Sequence, residues 1–309
     1  MSATTTSRPA SSPARRRRGW NRVLTLLVVL GLAVGGWAVL RDRMPQLALM
    51  ERCTVAAGGG HTDLDPEQAG YAAVISAVAV QRELPARAAS IAIATSLQES
   101  KLRNLEYGDR DSVGLFQQRP SQGWGTRKQL LDPVYATNAF YDVLVKVEGY
   151  QSLPITSAAQ RVQRSAYPSA YADHEPDARI AASALTGYSP AALTCTLHPA
   201  GARTGQPGAD GLTPAAHTLA TAAQAETGLS GRAVAGSGGT AVQFTPQGPE
   251  ARRLGWSLAQ WAVARAKGLD VISVSADGRQ WRRDAPKAGW ARGGDAPAGS
   301  IVVRVAAGG

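Results

Sequence analysis

Residues 23–40 form an unbroken run of eighteen residues without a charged side chain, VLTLLVVLGLAVGGWAVL. As a helix this run is about 27 Å long, enough to cross the hydrocarbon core of a membrane. Six arginines and no acid lie in residues 1–22, and only Arg41 and Arg43 follow the run closely. Because positive charge favours the cytoplasmic side, the pattern predicts a basic cytoplasmic tail (1–22), one transmembrane helix (23–40) and an exported remainder.

A cleaved signal peptide is the alternative interpretation, since it also has a basic start and an apolar middle. The run is longer than a usual signal core, and no clear A-x-A cleavage site ends it. An uncleaved anchor is therefore favoured, which places the protein in the cell membrane with its C-terminal domains outside.

The net charge of +10 could indicate a nucleic-acid partner, but its distribution argues against one. The six arginines of the N-terminal tail supply much of it, and the other 287 residues carry only +4. No nucleotide-binding glycine motif is present. We expect no nucleic-acid partner, and no cofactor.

Export changes the interpretation of the two cysteines, Cys53 and Cys195. In an oxidising compartment one disulfide is more common than two free thiols, although two buried unpaired cysteines are the alternative. A bridge between them would close a loop of 142 residues, worth roughly 4–5 kcal/mol by loop-closure arguments.

The exported part divides by composition into a mostly helical segment, a linker and a smaller segment of helices and strands. Residues 41–64, with three glycines at 58–60, predict a juxtamembrane spacer, and residues 65–196 predict a mostly α domain. Asp65-Pro66 and Asp132-Pro133 are typical helix starts. Further helices are expected at 86–102, 156–165 and 177–185. Residues 197–212 are linker by composition, and 213–309 predict a small α/β (α+β) domain.

The chemistry-bearing candidate is Glu99, the last acid of an apolar helix and close to its C-terminal end. There the negative end of the helix dipole and apolar neighbours favour the protonated carboxyl, which suits a general acid. A glycine-rich polar loop with Tyr107, Phe116 and Trp124 follows, and such a loop can line a sugar-binding cleft. A solvent-exposed helix-end residue is the alternative for Glu99 alone.

Glu99-Ser100, followed by Gly114-Leu115-Phe116-Gln117, resembles the signature of soluble lytic transglycosylases and goose-type lysozymes. Asn138, after Asp132-Pro133, matches that family's next helix, and residues 158–168 resemble a segment of actinobacterial lysozyme-like domains. The resemblance covers about residues 65–185. It implies a lysozyme-like fold with Glu99 as the catalytic residue.

The resemblance also implies a substrate and its contacts. The substrate is the β-1,4 bond between N-acetylmuramic acid and N-acetylglucosamine in peptidoglycan glycan strands. The family's Tyr-Asn pair is not found, so Gln163 and Ser165 are the candidates for its role. The full set of substrate-binding candidates is Ser100, Tyr107, Gly114, Phe116, Gln117, Gln163 and Ser165.

The mechanism depends on whether a second carboxylate assists Glu99. Asp109 and Asp111 are the candidates, but each is more often a turn residue in a loop this polar. A single-acid mechanism is favoured, whether the product is that of a lytic transglycosylase or of a lysozyme. The competing hypotheses are a wall-binding scaffold that holds glycan without cutting it, and an envelope subunit of a secretion or conjugation machine.

The last 97 residues resemble, more weakly, zinc D-Ala-D-Ala carboxypeptidases, which end in a strand that carries metal ligands. Here no histidine follows His217 and the region has no cysteine, so we expect no metal. Its arginines and four tryptophans (Trp256, Trp261, Trp281, Trp290) fit contact with an anionic wall polymer, although at least half of the tryptophans are expected in the core.

Overall fold

The computed structural model describes residues 31–32, 35–37, 50–163, 168–201 and 205–307. The predicted tail lies outside these residues, and so does most of the predicted transmembrane helix. Within the described residues, no helix combines the length and apolar character that a membrane span requires.

The chain is a mixed α and β protein. Its helices are α1 (Pro66–Gln81), α2 (Ala86–Ser100), α3 (Arg127–Leu130), α4 (Pro133–Leu144), α5 (Ile155–Gln163), α6 (Glu175–Leu185), α7 (Pro214–Thr227) and α8 (Ala251–Ala264). Short 3-10 helices occupy Pro120–Gln122, Pro168–His174 and Pro286–Ala288. The strands are β1 (Arg52–Ala57), β2 (Gly60–Leu64), β3 (Leu193–Thr196), β4 (Arg232–Ala233), β5 (Ala241–Phe244), β6 (Val271–Ala276), β7 (Arg279–Arg282), β8 (Trp290–Arg292) and β9 (Ile301–Val305).

The helix starts follow the predicted caps. The Asp65 carboxylate accepts hydrogen bonds from the backbone N–H groups of Glu67 and Gln68 at the start of α1. Asp132 does the same for Val134 and Tyr135 in α4. These bonds satisfy N–H groups that have no partner within the helix.

A small antiparallel sheet of order β2-β1-β3 stands where the sequence predicted part of a spacer. Residues 52–64 form a β-hairpin rather than a spacer, because Gly58 and Gly59 adopt φ of 60° and 80° and make its tight turn. The predicted disulfide is confirmed: Cys53 and Cys195 face each other across β1 and β3 and are bonded. It joins the start of the helical segment to its end.

The larger sheet has the order β4-β5-β9-β6-β7-β8, and every neighbouring pair is antiparallel. All four tryptophans of this segment are at most 7% exposed, which confirms the expectation that at least half lie in the core and leaves none of the four rings on the surface for a wall polymer. Trp281 and Trp290 pair across β7 and β8, and Trp256 meets Trp290 edge to face. These rings fill the space between the sheet and α8.

Residues Met50–Gly309 form one compact unit with a continuous core. α8 packs on α1 and α6 of the helical segment as well as on its own sheet. Gln260 of α8 is fully buried and accepts the backbone N–H groups of Ala192 and Leu193 at 2.8 and 2.9 Å. Its amide nitrogen donates to the carbonyl of Ala184 at 2.6 Å. The two segments are thus joined by buried hydrogen bonds as well as by apolar packing.

Candidate functional site

Glu99 occupies the last turn of α2, one residue before its end, as the sequence predicted. The helix stops because Lys101 and Leu102 both adopt a left-handed conformation, with φ of 56°. Their N–H groups return to the carbonyls of Leu97 and Ser96, which satisfies the helix end. Leu102 is fully buried and anchors this turn. The backbone that presents Glu99 is therefore fixed by packing.

The Glu99 side chain is half-buried, and one of its oxygens is held by a tyrosine. The Tyr171 hydroxyl donates to Glu99 Oε1 at 2.6 Å, and the Tyr171 ring is fully buried. Tyr171 belongs to the 3-10 helix before α6, which is 72 positions away in sequence. Sequence reasoning missed this residue; the only signal was an aromatic residue in an otherwise small and polar stretch.

The turn of residues 113–118 lies against the end of α2. The Ser100 hydroxyl donates to the Leu115 carbonyl at 2.7 Å, and Ser96 donates to the same oxygen at 2.9 Å. Gly114 has φ of 79°, and a Cβ there would lie 2.3 Å from the Leu130 carbonyl oxygen. Only glycine fits this position. Ser100 and Gly114 therefore hold the turn in place, and neither lies on the cleft surface described below.

Phe116 departs from its predicted contact with substrate. Its ring is fully buried and stacks on Phe140 with centroids 4.6 Å apart. Its carbonyl accepts a hydrogen bond from Gln163 Nε2 at 2.7 Å. The turn sends the rings and aliphatic groups of Leu115 and Phe116 inwards, and the amide side chain of Gln117, the next residue, lines the cleft.

A cleft of about 430 Å³ opens beside Glu99. It is lined by Glu99, Asp109, Ser112, Gln117, Gln118, Arg119, Gln122, Trp124 and Gln163. The lining is mostly amide and hydroxyl groups with one indole, a composition that suits a polyhydroxylated ligand. Of the predicted contacts, Gln117 and Gln163 are in the lining. Tyr107 is 74% exposed and lies outside it, and Ser165 lies outside the described residues.

The two candidate second carboxylates differ. Asp111 accepts hydrogen bonds from Arg119 Nε at 2.9 Å and from the backbone and hydroxyl of Ser121. The Arg119 guanidinium and these bonds hold the Asp111 pKa well below its usual range. Asp111 thus fastens the loop and is absent from the cleft lining. Asp109 does line the cleft, with its side chain 90% exposed and Arg110 at 3.9 Å.

Asn138, which carries part of the family resemblance, faces away from the cleft. Arg82, at the end of α1, donates to both the side-chain and main-chain oxygens of Asn138 at 3.0 Å. The same guanidinium pairs with Asp142 at 2.7 Å. This cluster ties α1 to α4 and supports the scaffold.

Among the described residues, no group of three or more histidine, cysteine or acidic side chains could hold a metal ion. His217 pairs only with Asp210, at 2.6 Å, on the exposed surface of α7. A comparison of the sequence with models of known families and with curated proteins gives no match.

Proposed function

We propose that this protein is a glycosidase that cleaves the β-1,4 bond between N-acetylmuramic acid and N-acetylglucosamine in peptidoglycan, with Glu99 as its one acid and base. The observation that carries the proposal is a half-buried carboxyl at a rigid helix end, beside a polar cleft. Tyr171 supports it, because its hydroxyl holds Oε1 of Glu99, while no hydrogen bond within the described residues engages Oε2.

The geometry of the loop favours a mechanism with one carboxyl group. Both oxygens of Asp111 accept hydrogen bonds from Arg119 or Ser121, and the side chain of Asp109 is almost fully exposed to water. A second carboxylate that positions water must be held against the sugar, and neither residue is held in that way. Glu99 therefore serves in both half-reactions.

In the first half-reaction, Glu99 donates its proton to the glycosidic oxygen while the bond from that oxygen to C1 breaks. In the second, the Glu99 carboxylate takes the proton of the sugar's own C6 hydroxyl as O6 bonds to C1. The product is then a 1,6-anhydro sugar, and Glu99 returns to its protonated form. Water in place of the C6 hydroxyl would give hydrolysis with the same proton balance.

The proposed setting is the outer face of the cell membrane. Residues 23–40 would anchor the chain, with residues 1–22 in the cytoplasm and Met50–Gly309 exposed to the wall. The support is the eighteen-residue uncharged run and the six arginines before it. The Cys53–Cys195 disulfide agrees with an exported location.

The test is Glu99→Gln, which keeps the size and hydrogen bonding of the side chain but cannot transfer a proton. Muropeptide release from purified peptidoglycan, followed by mass spectrometry, should fall by about 10²–10⁴-fold. Asp109→Asn and Asp111→Asn are the matched controls and should each keep most activity. A Glu99→Gln variant as active as the native protein would refute the assignment.

The same experiment addresses the non-catalytic alternatives. A native protein that binds peptidoglycan but releases no muropeptide from any preparation would favour a wall-binding scaffold or a subunit of an envelope machine. The mass of the released sugar identifies the product, since a 1,6-anhydro end is one water lighter than a reducing end.

A further inference from the structure

Two arginines face each other at the outer end of the larger sheet. Arg279 of β7 and Arg292 of β8 are paired in register, and both are exposed. Like charges directly opposite each other on neighbouring strands are destabilising. The fold thus holds two positive charges close together, although their repulsion lowers its stability.

The register that opposes these arginines is set by other residues. Trp281 and Trp290, two positions further along each strand, are 0% and 7% exposed and pair with each other. A one-residue shift of the edge strand β8 against β7 would turn Trp290 out of the core, so the strands cannot slip to separate the two charges. Trp290 is also fixed by its indole N–H, which donates to the Leu193 carbonyl at 2.8 Å.

No acidic side chain neutralises the two arginines among the residues that the structure describes. Four of the five acids from residue 247 onwards already form ion pairs with other arginines: Glu250 with Arg253, Asp277 with Arg252, Asp284 with Arg282, and Asp295 with Arg304. The fifth, Asp270, interacts electrostatically with Arg283 and favours its charged form. Arg279 Nη1 donates one long hydrogen bond to the Trp290 carbonyl, at 3.4 Å, which does not neutralise its charge. Both charges are therefore available to an external anion.

A third arginine lies beside the pair. Asp277 is in the tight turn between β6 and β7, two residues before Arg279, and it accepts hydrogen bonds from Arg252 of α8 at 2.8 and 3.1 Å. This pair brings the exposed Arg252 guanidinium to the same end of the sheet. The four side chains (Arg252, Asp277, Arg279 and Arg292) carry a net charge of +2. We call them the arginine cluster.

We propose that the arginine cluster binds carboxylate groups on the peptide stems of peptidoglycan. The inference rests on the proposed function, which makes peptidoglycan the polymer that this chain meets. Guanidinium groups bind carboxylates through paired hydrogen bonds. One exposed contact of this kind is weak, but a polymer that repeats its carboxylates can engage the cluster and the Glu99 cleft together.

The test measures binding of the full chain in detergent to insoluble peptidoglycan, on the Glu99→Gln background so that the polymer stays intact. The double variant Arg279→Gln/Arg292→Gln should bind about tenfold more weakly. Its matched control is Arg232→Gln/Arg282→Gln, which removes the same charge from exposed positions elsewhere on the sheet and should bind like the parent. The unfolding temperature of the double variant should stay equal or rise, because a repulsive pair is removed.

Two treated polymers distinguish the sources of negative charge. Parent and double variant should bind equally well to peptidoglycan whose carboxylates are converted to amides. Peptidoglycan stripped of phosphate-containing polymers by acid should keep it. The opposite pattern would assign the cluster to phosphate polymers, and equal binding by parent and double variant on all preparations would show that it is no binding site; either result overturns the proposal. Muropeptide release, measured separately on chains with Glu99 intact, reports whether the proposed function itself holds.

Discussion

The helical segment and the sheet segment each place a glutamate at the same position of a helix, one residue before its end. Glu99 is in α2 and Glu226 is in α7. Both lie at the negative end of a helix dipole. In sequence they look alike, but their surroundings in the fold differ.

Glu226 is 7% exposed and is fully engaged by the core. Its two oxygens accept hydrogen bonds from the indole of Trp261 at 2.7 Å and the guanidinium of Arg265 at 2.8 Å. Among the residues that the structure describes, Glu99 has one hydrogen-bond partner, Tyr171, and it borders an open cleft. Access and spare bonding capacity, rather than position on a helix, therefore separate a candidate acid from a structural one.

The two segments also differ in the interactions that stabilise them. The helical segment is closed by the Cys53–Cys195 disulfide, while α8 and the sheet pack on it with no disulfide between them. Replacing both cysteines by serine should lower the free energy of unfolding by about 4–5 kcal/mol, since the released loop spans 142 residues. Denaturant unfolding of the double variant, compared with the oxidised native protein, measures this. A change below about 1 kcal/mol would mean that sheet pairing alone closes the segment.

Gln260 of α8 joins the sheet segment to the helical segment through buried hydrogen bonds. Gln260→Leu should cost about 3 kcal/mol, because it leaves the N–H groups of Ala192 and Leu193 and the Ala184 carbonyl without partners at a buried contact. Gln224→Leu on the exposed side of α7 is the control and should change stability by about 0.5 kcal/mol or less. Chemical denaturation of both variants would separate them. Equal effects would contradict a special role for Gln260.

Tyr171 is what distinguishes the Glu99 site chemically from the Glu226 site. Tyr171→Phe removes the hydrogen bond to Oε1 and keeps the buried ring, so the fold should survive. We expect kcat on soluble glycan strands to fall by about tenfold, with KM nearly unchanged, because the carboxyl loses its fixed orientation. A rise in KM with an unaltered kcat would instead place Tyr171 in substrate binding.

Much of the scaffold could be predicted because it depends on local signals. Asp65-Pro66 and Asp132-Pro133 start helices where expected, and the strands at 271–276 and 301–305 follow apolar runs. The hairpin at 52–64 was missed because its three glycines look flexible in isolation. Gly58 and Gly59 form the turn, and β3, over 130 residues later, pairs with β1 to complete the sheet.

The candidate site could be predicted only in part. Glu99, Gln117 and Gln163 are local features of the motifs and line the cleft. Tyr171 and the inward ring of Phe116 depend on packing between distant elements, which no spacing in the sequence shows. How many of the four tryptophans lie in the core depends on the same kind of packing, since four indoles at these spacings are compatible with a surface or with a core.

The structural role of Glu226 can be tested through the pH dependence of the protein's stability. Burial raises the pKa of Glu226 above its usual 4.5, although Arg265 and Trp261 oppose the shift. The folded state then binds a proton more tightly than the unfolded state. The resulting stability is present below about pH 4.5 and is lost as the pH rises through the higher pKa of the folded state. Relative to Glu226→Gln, which does not titrate at this position, the native protein should lose stability as the pH rises above about 4.5.

Asp111 supplies a control of the opposite sign, because Arg119 lowers its pKa. Relative to Asp111→Asn, the native protein should gain stability as the pH rises towards and past 3.8, by a small amount since solvent screens this exposed carboxylate. Thermal unfolding of the native protein and both variants from pH 3 to 8 gives the two differences. If the native protein instead gains stability over Glu226→Gln as the pH rises, the ion pair with Arg265 outweighs burial. Glu226 would then be a charged residue that its partners stabilise, and its burial and its two bonded oxygens would still distinguish it from Glu99.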